Sequence, residues 1–444
     1  MVTQLTLWDW PDEKSLRLEE RERAKLELRY RPVMRYVAEL RKWVSYVGNK
    51  NVPGLRLYRY KEAFSYEFVR RFVRRFRSEM PTPVVLDPFM GMGTTPYTAR
   101  RLGVQGVGVD KLPVAVAIAQ GLASLTDQVP GEVYATFERL RKEVDHADPA
   151  PIASDVSIVQ RAFPEDVRFR LQQWKRVILD LPRPIRDVFF VLFLSILEPC
   201  SWTTKDGQFL RLRPEKPLRN PDDVLREQVL RAEEDIQALQ TARERETWGP
   251  TPRVLKGDAR ELSTFLPSDS VGLIVTSPPY ANRYDYTRTY SLELCFGFVD
   301  NFEGLRNLRH SILRSHIESR LDETKELAPH SAVEEVERVL RGKDLNNPRI
   351  PIMLRAYFVD MAQVIDEMFR VLGPQGRVVM VVDNVRFEGE MVPVDLILSD
   401  LAHRVGFEVE EILVARFKGN SSQQMKKYGR KPVRESVLIW RKMS

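Results

Sequence analysis

Apolar residues recur at two periods along this chain, and the switches between them outline its architecture. In YRYKEAFSYEFVRRFVRRF (58–76), Phe64, Phe68, Phe72 and Phe76 fall four apart, the repeat of one helix face. Residues 12–47, rich in Glu, Arg and Leu at helical spacing, predict one or two amphipathic helices ahead of the loop GNKNVPG (48–54). Short continuous apolar runs then take over. Residues 84–86 predict a buried strand and residues 87–93 a glycine loop. A helix follows with Thr94 or Thr95 as its N-cap and Pro96 in its first turn, where proline is tolerated. Gly103 stops that helix, and VQGVGVD predicts a second strand ending on Asp110. Strand, loop, helix and strand in this order make a β-α-β unit of a parallel sheet.

From 121 to 250 the alternation is interrupted. The stretches VYATFERLRKEV, VRFRLQQWKRVILDL and VLREQVLRAEEDIQALQTARER are helical in pattern, and a basic, loop-like segment (200–221) lies among them. Strands return at RVLKGDAREL (253–262) and VGLIVT (271–276). Residues 281–350 are polar with no clear strand. Residues 354–384 predict a helix and a strong strand, 392–417 a helix and a strand, and 434–442 a last strand. The expected organisation is an N-terminal helical segment (1–57), one α/β domain in two parts (58–120 and 251–444), and insertions at 121–250 and 281–350. Strands 407–417 and 434–440 are expected to form an antiparallel edge pair.

Composition narrows the function. The 444 residues carry a formal charge of +7, which favours a polyanionic partner, nucleic acid ahead of membrane. Two cysteines make neither a disulfide framework nor a zinc site, and the five histidines show no metal-ligand spacing, so no metal is expected. The opening MVTQLTLWDWPDEKS lacks the basic-then-apolar order of a secretory signal, and the longest apolar run, VFFVLFLSIL (188–197), is too short to span a membrane. A soluble cytoplasmic protein is expected.

Two motifs carry chemistry. A glycine loop between a buried strand and a helix N-terminus lets a ligand approach the backbone closely, and an acid at the end of the next strand suits a ribose diol. The unit therefore predicts a nucleoside-containing cofactor. GMGTTP offers Pro96 where a dinucleotide fingerprint needs a third glycine, and it lacks the Lys of a phosphate loop. The second motif is TSPPY (276–280), at the mouth of the apolar strand SVGLIVT.

LDPFMGMGTT (86–95) resembles the S-adenosylmethionine-binding motif of the DNA methyltransferases that act on exocyclic amino groups, and TSPPY resembles their catalytic motif. The Ser form is closer to the cytosine-N4 branch than to the adenine-N6 branch. The resemblance covers residues 58–120 and 253–440. It implies a Rossmann-like α/β fold of the class I methyltransferases: a mostly parallel seven-stranded sheet with helices on both faces, here with helical insertions. It also implies roles. Ser277 Oγ and the Pro278 carbonyl would each accept one N–H of the target amine, freeing its lone pair. Pro278 and Pro279 fix φ and aim that carbonyl beforehand, and Tyr280 would stack on a flipped base. Asp87, Phe89, Gly91 and Gly93 would line the methionine side of S-adenosylmethionine. Thr94 and Thr95 would cap the helix near the cofactor carboxylate, Asp110 would take the ribose hydroxyls, and Asp258 of KGDAR would sit near the adenine amino group. YKEAFSYEFV would complete the pocket, with Phe64 and Ser65 nearest.

Double-stranded DNA is the partner this implies, and a cognate restriction endonuclease or other defence system is a companion it allows. Sequence reading would fall to 121–250 or 281–350. ANRYDYTRTY interleaves Arg283 and Arg288 with tyrosines, as a loop over a flipped base would. The basic loop 418–432, with Lys418, Asn420, Gln423, Lys426, Lys427 and Arg430, reads as a backbone clamp. Here the cofactor motif precedes the catalytic motif, whereas this wording of the cofactor motif is commonest where that order is reversed. Rival readings are adenine-N6 methylation, methylation of RNA or a protein amide, and a non-catalytic DNA-recognition subunit. Cys200 follows Pro199, the Pro-Cys pair of the cytosine-C5 enzymes, but it ends an apolar helix in the insertion, where a small buried cysteine is the expected role.

Overall fold

The computed structural model describes residues 21–206, 209–282, 284–321, 328–418 and 432–443. Its strands in chain order are β1 (Met34–Tyr36), β2 (Val84–Asp87), β3 (Gln105–Asp110), β4 (Thr203–Asp206), β5 (Phe209–Leu212), β6 (Arg253–Lys256), β7 (Val271–Thr276), β8 (Leu372–Asp383), β9 (Val385–Phe387), β10 (Glu390–Val392), β11 (Phe407–Lys418) and β12 (Val433–Lys442). Eight of them form one sheet in the order β1-β11-β12-β8-β7-β2-β3-β6. From β6 to β8 all neighbours are parallel, while β12 runs antiparallel to both β8 and β11. This is the mostly parallel α/β sheet that the resemblance implied, and it contains the β-α-β unit that the apolar pattern predicted.

Strand order reverses between β2 and β7. From β2 the chain winds outward through β3 to β6, and from β7 it winds the other way to β8. Open α/β sheets leave a crevice at the carboxyl ends of the strands beside such a reversal. The glycine loop follows β2 and TSPPY follows β7, so both motifs emerge at that one crevice.

The two faces of the sheet follow from the period of two along buried strands. Val85, Leu273, Val275, Val379 and Val437 point to one face, where helix Tyr66–Phe76 packs Phe68, Phe72 and Phe76 with Val69 and Val73. Each aromatic there is almost fully buried, so Phe72→Ala is expected to cost about 3–5 kcal/mol. Leu86, Ile274, Val378, Met380 and Leu438 face the other way, against helices Ile350–Val371 and Val394–Val405. Phe64 belongs to the four-residue stripe but lies just ahead of the helix, whose N-cap is Ser65.

Residues 121–250 are helical, with Glu132–Glu143, Glu165–Leu179, Ile185–Ile196 and Pro221–Arg245 as the longer helices. Their core is continuous with helix Pro113–Leu125 and with Tyr58, Tyr60, Tyr290 and Phe296. The basic stretch read as a loop contains the β4–β5 ribbon. Residues 281–350 hold helices Tyr286–Thr289, Ser291–Gly297, Phe302–Ser311 and Ser331–Arg341, with no strand among the described residues.

Two expectations are corrected. The sheet has an eighth strand, since β1 pairs in parallel with β11, so β11 and β12 are not an edge pair. The N-cap of helix Thr94–Arg101 is Gly93, at φ 86°, and neither Thr94 nor Thr95 caps it. A Cβ at Gly93 would lie 2.9 Å from Ala119 Cβ, so the sharp entry to this helix needs glycine both for its dihedral and for space. Among the described residues, no helix is long and apolar enough to cross a membrane.

Candidate active site

One cavity lies at the crevice. Its lining brings together the loop residues Asp87, Phe89, Gly91 and Thr94, the acids Asp110 and Asp258, Phe64, and Ser277 and Pro279 of the TSPPY turn. Segments about 190 residues apart in the chain thus share one wall because β2 and β7 are neighbours, with Leu86 beside Ile274.

Asp87 joins the two motifs. Its Oδ1 accepts from Phe89 N at 3.1 Å and from Thr276 Oγ1 at 2.6 Å, and its Oδ2 accepts from Thr95 Oγ1 at 2.9 Å. The Thr95 hydroxyl also approaches the Val275 carbonyl, at 3.1 Å. Burial pushes the Asp87 carboxyl up to about 7, against these hydrogen bonds. Thr95 is therefore a brace behind the cavity. Thr94 remains on the wall, and its hydroxyl is buried without a partner.

Asp110 anchors the glycine loop from the next strand. Its Oδ2 accepts from Gly91 N at 2.9 Å and its Oδ1 from Leu112 N at 2.8 Å. Each oxygen keeps a second lone-pair site. Burial pushes this carboxyl up to about 6. Gly91 has φ +52°, and a Cβ there would meet Tyr60 at 3.1 Å, so the loop lies directly against that ring. Tyr60 in turn stacks on Tyr290, with centroids 5.1 Å apart.

Asp258 is heavily bonded. Its Oδ1 accepts from Arg260 N and Nε, both at 3.0 Å, and its Oδ2 from Arg260 Nη2 at 2.8 Å and Lys111 Nζ at 3.1 Å. Burial opposes its ionisation, but the Arg260 bonds prevail and hold it down at about 2.

At the turn, Ser277 is half-buried, and its Oγ lies 3.5 Å from Tyr280 OH. That is too long to occupy either hydroxyl strongly. Pro278 is buried and Pro279 faces the cavity. Behind Tyr280 stands Lys418, its ammonium 5.8 Å from the ring centroid and bonded to Asp383 Oδ2 at 2.8 Å and Glu435 Oε1 at 2.6 Å.

Other predicted residues stand elsewhere. The Ser65 hydroxyl donates to the Trp43 carbonyl and caps Phe68 N, and the residue does not line the cavity. Arg288 is ion-paired with Glu318 at 3.0 Å. Lys418, expected in a backbone clamp, is committed to Asp383 and Glu435. Arg283, Asn420, Gln423, Lys426, Lys427 and Arg430 lie outside the described residues. Cys200 is fully buried in the helical core, its thiol pushed up to about 12 by burial, and it is not on the cavity. A cysteine so placed is no nucleophile.

Of the wall residues, Tyr60 and Glu62 lie in YKEAFSYEFV, the stretch expected to complete the pocket, and Tyr286 in ANRYDYTRTY, but none of the three was singled out, and Ile312, Leu313 and Ser315 were missed altogether. Glu62 accepts hydrogen bonds from the hydroxyls of Tyr284 and Tyr290. The tyrosine spacing of ANRYDYTRTY signalled this in part, since an acid with two tyrosines builds a wall. Nothing in the residue types of 312–315 marked them.

The family model described as DNA methylase (N6_N4_Mtase) matches residues 8–121, which include the glycine loop. The type II methyltransferase M.BsoBI of Geobacillus stearothermophilus is 32% identical over an alignment covering 95% of this chain and 92% of that protein. The type II methyltransferase M.AvaI of Nostoc sp. (strain PCC 7120 / SAG 25.82 / UTEX 2576) is 34% identical, covering 94% of this chain and 92% of that protein. Among solved structures, TrmN from Thermus thermophilus is 13% identical, covering 85% of this chain and 49% of that one with a TM-score of 0.28. This chain belongs to the family of DNA amino-methyltransferases.

Proposed function

We propose that this protein transfers a methyl group from S-adenosylmethionine to the exocyclic N4 amine of cytosine within a specific sequence of duplex DNA. The observation that carries the choice of base is Ser277. It puts a neutral hydroxyl, not a carboxylate, at the turn beside the cavity, braced through Thr276 and Asp87 to the glycine loop.

The cavity suits the cofactor on its own terms. Asp110 keeps one acceptor site on each oxygen for a pair of vicinal hydroxyls. The unpartnered Thr94 hydroxyl sits at a helix N-terminus, where a carboxylate is favoured. S-adenosylmethionine supplies an electrophilic methyl group on a sulfonium centre. The chain's own work is positioning. Ser277 Oγ accepts one N–H of the target amine and the Pro278 carbonyl the other, which draws the nitrogen lone pair out of conjugation with the ring. Tyr280 offers its face to the flipped base. Holding amine and methyl donor in line converts a bimolecular step into an effectively unimolecular one. A hydroxyl is a weaker acceptor than a carboxylate and holds no proton as a general base. The amine proton therefore leaves after transfer, to water or a relay.

The type II relatives, matched over nearly their whole length, support DNA as substrate, and a cognate restriction endonuclease is the companion this reading allows. Incubating the protein with genomic DNA and methyl-labelled S-adenosylmethionine, then hydrolysing the DNA, tests this. Label is expected in N4-methylcytosine. Label in N6-methyladenine would overturn the base and keep the mechanism, and label in 5-methylcytosine would overturn the account of Ser277.

A further inference from the structure

Asp258 lies at the end of the cavity where the resemblance puts the adenine, yet it has little left to offer a ligand. A carboxylate has about four lone-pair sites. Arg260 and Lys111 occupy all four. A purine edge recognised at this end needs another polar group.

Such a group comes from the insertion that follows the TSPPY turn. Ser315 lines the same cavity, and its hydroxyl is buried with no hydrogen-bond partner. Buried hydroxyls are ordinarily satisfied, so an orphan on a cavity wall points to a contact that a ligand completes. Ile312 and Leu313 also line this wall and, with Leu112 and Ala259, supply apolar surface for an aromatic ring.

The wall is held from behind by charge. Asp360, on helix Ile350–Val371 and almost fully buried, accepts from the backbone N of Arg314 at 2.9 Å. It also accepts from Arg314 Nε at 3.1 Å and Nη2 at 2.7 Å. Arg260 bridges the two sides of the cavity end. It pairs with Asp360 at 3.1 Å, donates to the Ser311 carbonyl at 3.1 Å and holds Asp258. Ser315 N donates to the Leu313 carbonyl at 2.8 Å, which closes the turn. Three segments distant in sequence thus meet on one carboxylate, and Ser315 follows directly from the residue it grips.

We propose that Ile312–Ser315 is the adenine-side wall of the cofactor pocket, that the Ser315 hydroxyl reads the amino-bearing edge of the purine, and that Asp360 is its positioning residue. This rests on the reading that the cavity holds S-adenosylmethionine. A serine hydroxyl carries one donor and two acceptor sites, which match an exocyclic amine beside a ring nitrogen.

The test is calorimetric binding of S-adenosylhomocysteine and of its analogue lacking the 6-amino group. The wild-type protein is expected to prefer the amino form. Ser315→Ala should weaken that form about tenfold and leave the analogue nearly unchanged, so the preference disappears. Asp360→Asn should also lose the preference although Ser315 is intact, a result that general weakening of the pocket would not give. Ser315→Ala with wild-type affinity and preference would overturn the proposal and assign the hydroxyl to an internal water. If the wild-type protein binds neither compound, the cofactor reading fails first. If it binds both equally, that reading stands and the purine-edge contact falls.

Discussion

The glycine loop and the wall at 311–315 bound the same cavity but are built by opposite means. The loop is local. Residues 87–112 fix one another through backbone N–H groups on Asp87 and Asp110, with Gly91 and Gly93 at positive φ. The wall is assembled from afar, by Arg260, Arg314 and Asp360 in three separate segments. A loop built on its own backbone is sensitive to steric change at single positions. A wall built on buried ion pairs is sensitive to loss of one partner, which leaves the other charge uncompensated.

The sharpest break of this contrast is Gly91→Val. Strain at positive φ, about 1–3 kcal/mol, adds to the clash with Tyr60, so cofactor affinity should fall roughly 100-fold or more with the fold intact. Unchanged affinity by calorimetry would move the pocket elsewhere. Ser277→Ala comes next. Methylation should fall by roughly 10²–10³-fold while cofactor affinity holds, since only the amine loses an acceptor. A full methylation rate in a single-turnover assay would remove Ser277 from the mechanism.

A smaller effect is set by pH. Asp110 takes ribose hydroxyls best when ionised, and burial has raised its carboxyl to about 6. Cofactor affinity should be level above about pH 7 and fall by about tenfold per unit below pH 6. Asp110→Asn should flatten that profile at low affinity. Stability of the unliganded protein has the opposite sign. A raised carboxyl favours folding while protonated, so its contribution is complete below about pH 4 and is lost as pH rises through 6. Melting curves from pH 4 to 8 check that slope. The smallest effect belongs to Cys200→Ala, which should leave methylation within about twofold, because the thiol is buried away from the cavity.

The same contrast explains what was legible in the sequence. The β-α-β unit and the strand ahead of TSPPY were readable because apolar period and glycine placement are local signals. Their meeting at one crevice was not read from the sequence; it follows from the strand order, which sets β2 beside β7. The roles of Thr95 and Lys418 were not readable. Thr95 turns away from the cavity because β7 supplies a carbonyl and β2 a carboxylate behind it, and Lys418 is claimed by two acids on neighbouring strands. Ser315 was silent for a stronger reason. A serine in a polar stretch gains meaning only when a carboxylate about 45 residues later fixes the loop that carries it. Glu62 lay inside the stretch read as helical (58–76), but its tyrosine partners lie 222 and 228 residues later in the chain.

The short strand β1 bears on how the molecule is made. It lies early in the chain, yet its parallel partner β11 is among the last strands to be synthesised. Arg23 and Glu27 of helix Arg21–Tyr30, just ahead of β1, likewise wait for Glu335, Glu390 and Arg434. A ribosome-bound chain therefore carries this segment unpaired through most of translation. When β11 and β12 arrive, β11 presents a free row of backbone groups until β1 docks on it. An unpaired strand edge of this kind is a template on which another chain can add. Docking of β1 therefore closes this side of the sheet only after nearly the whole chain has been made.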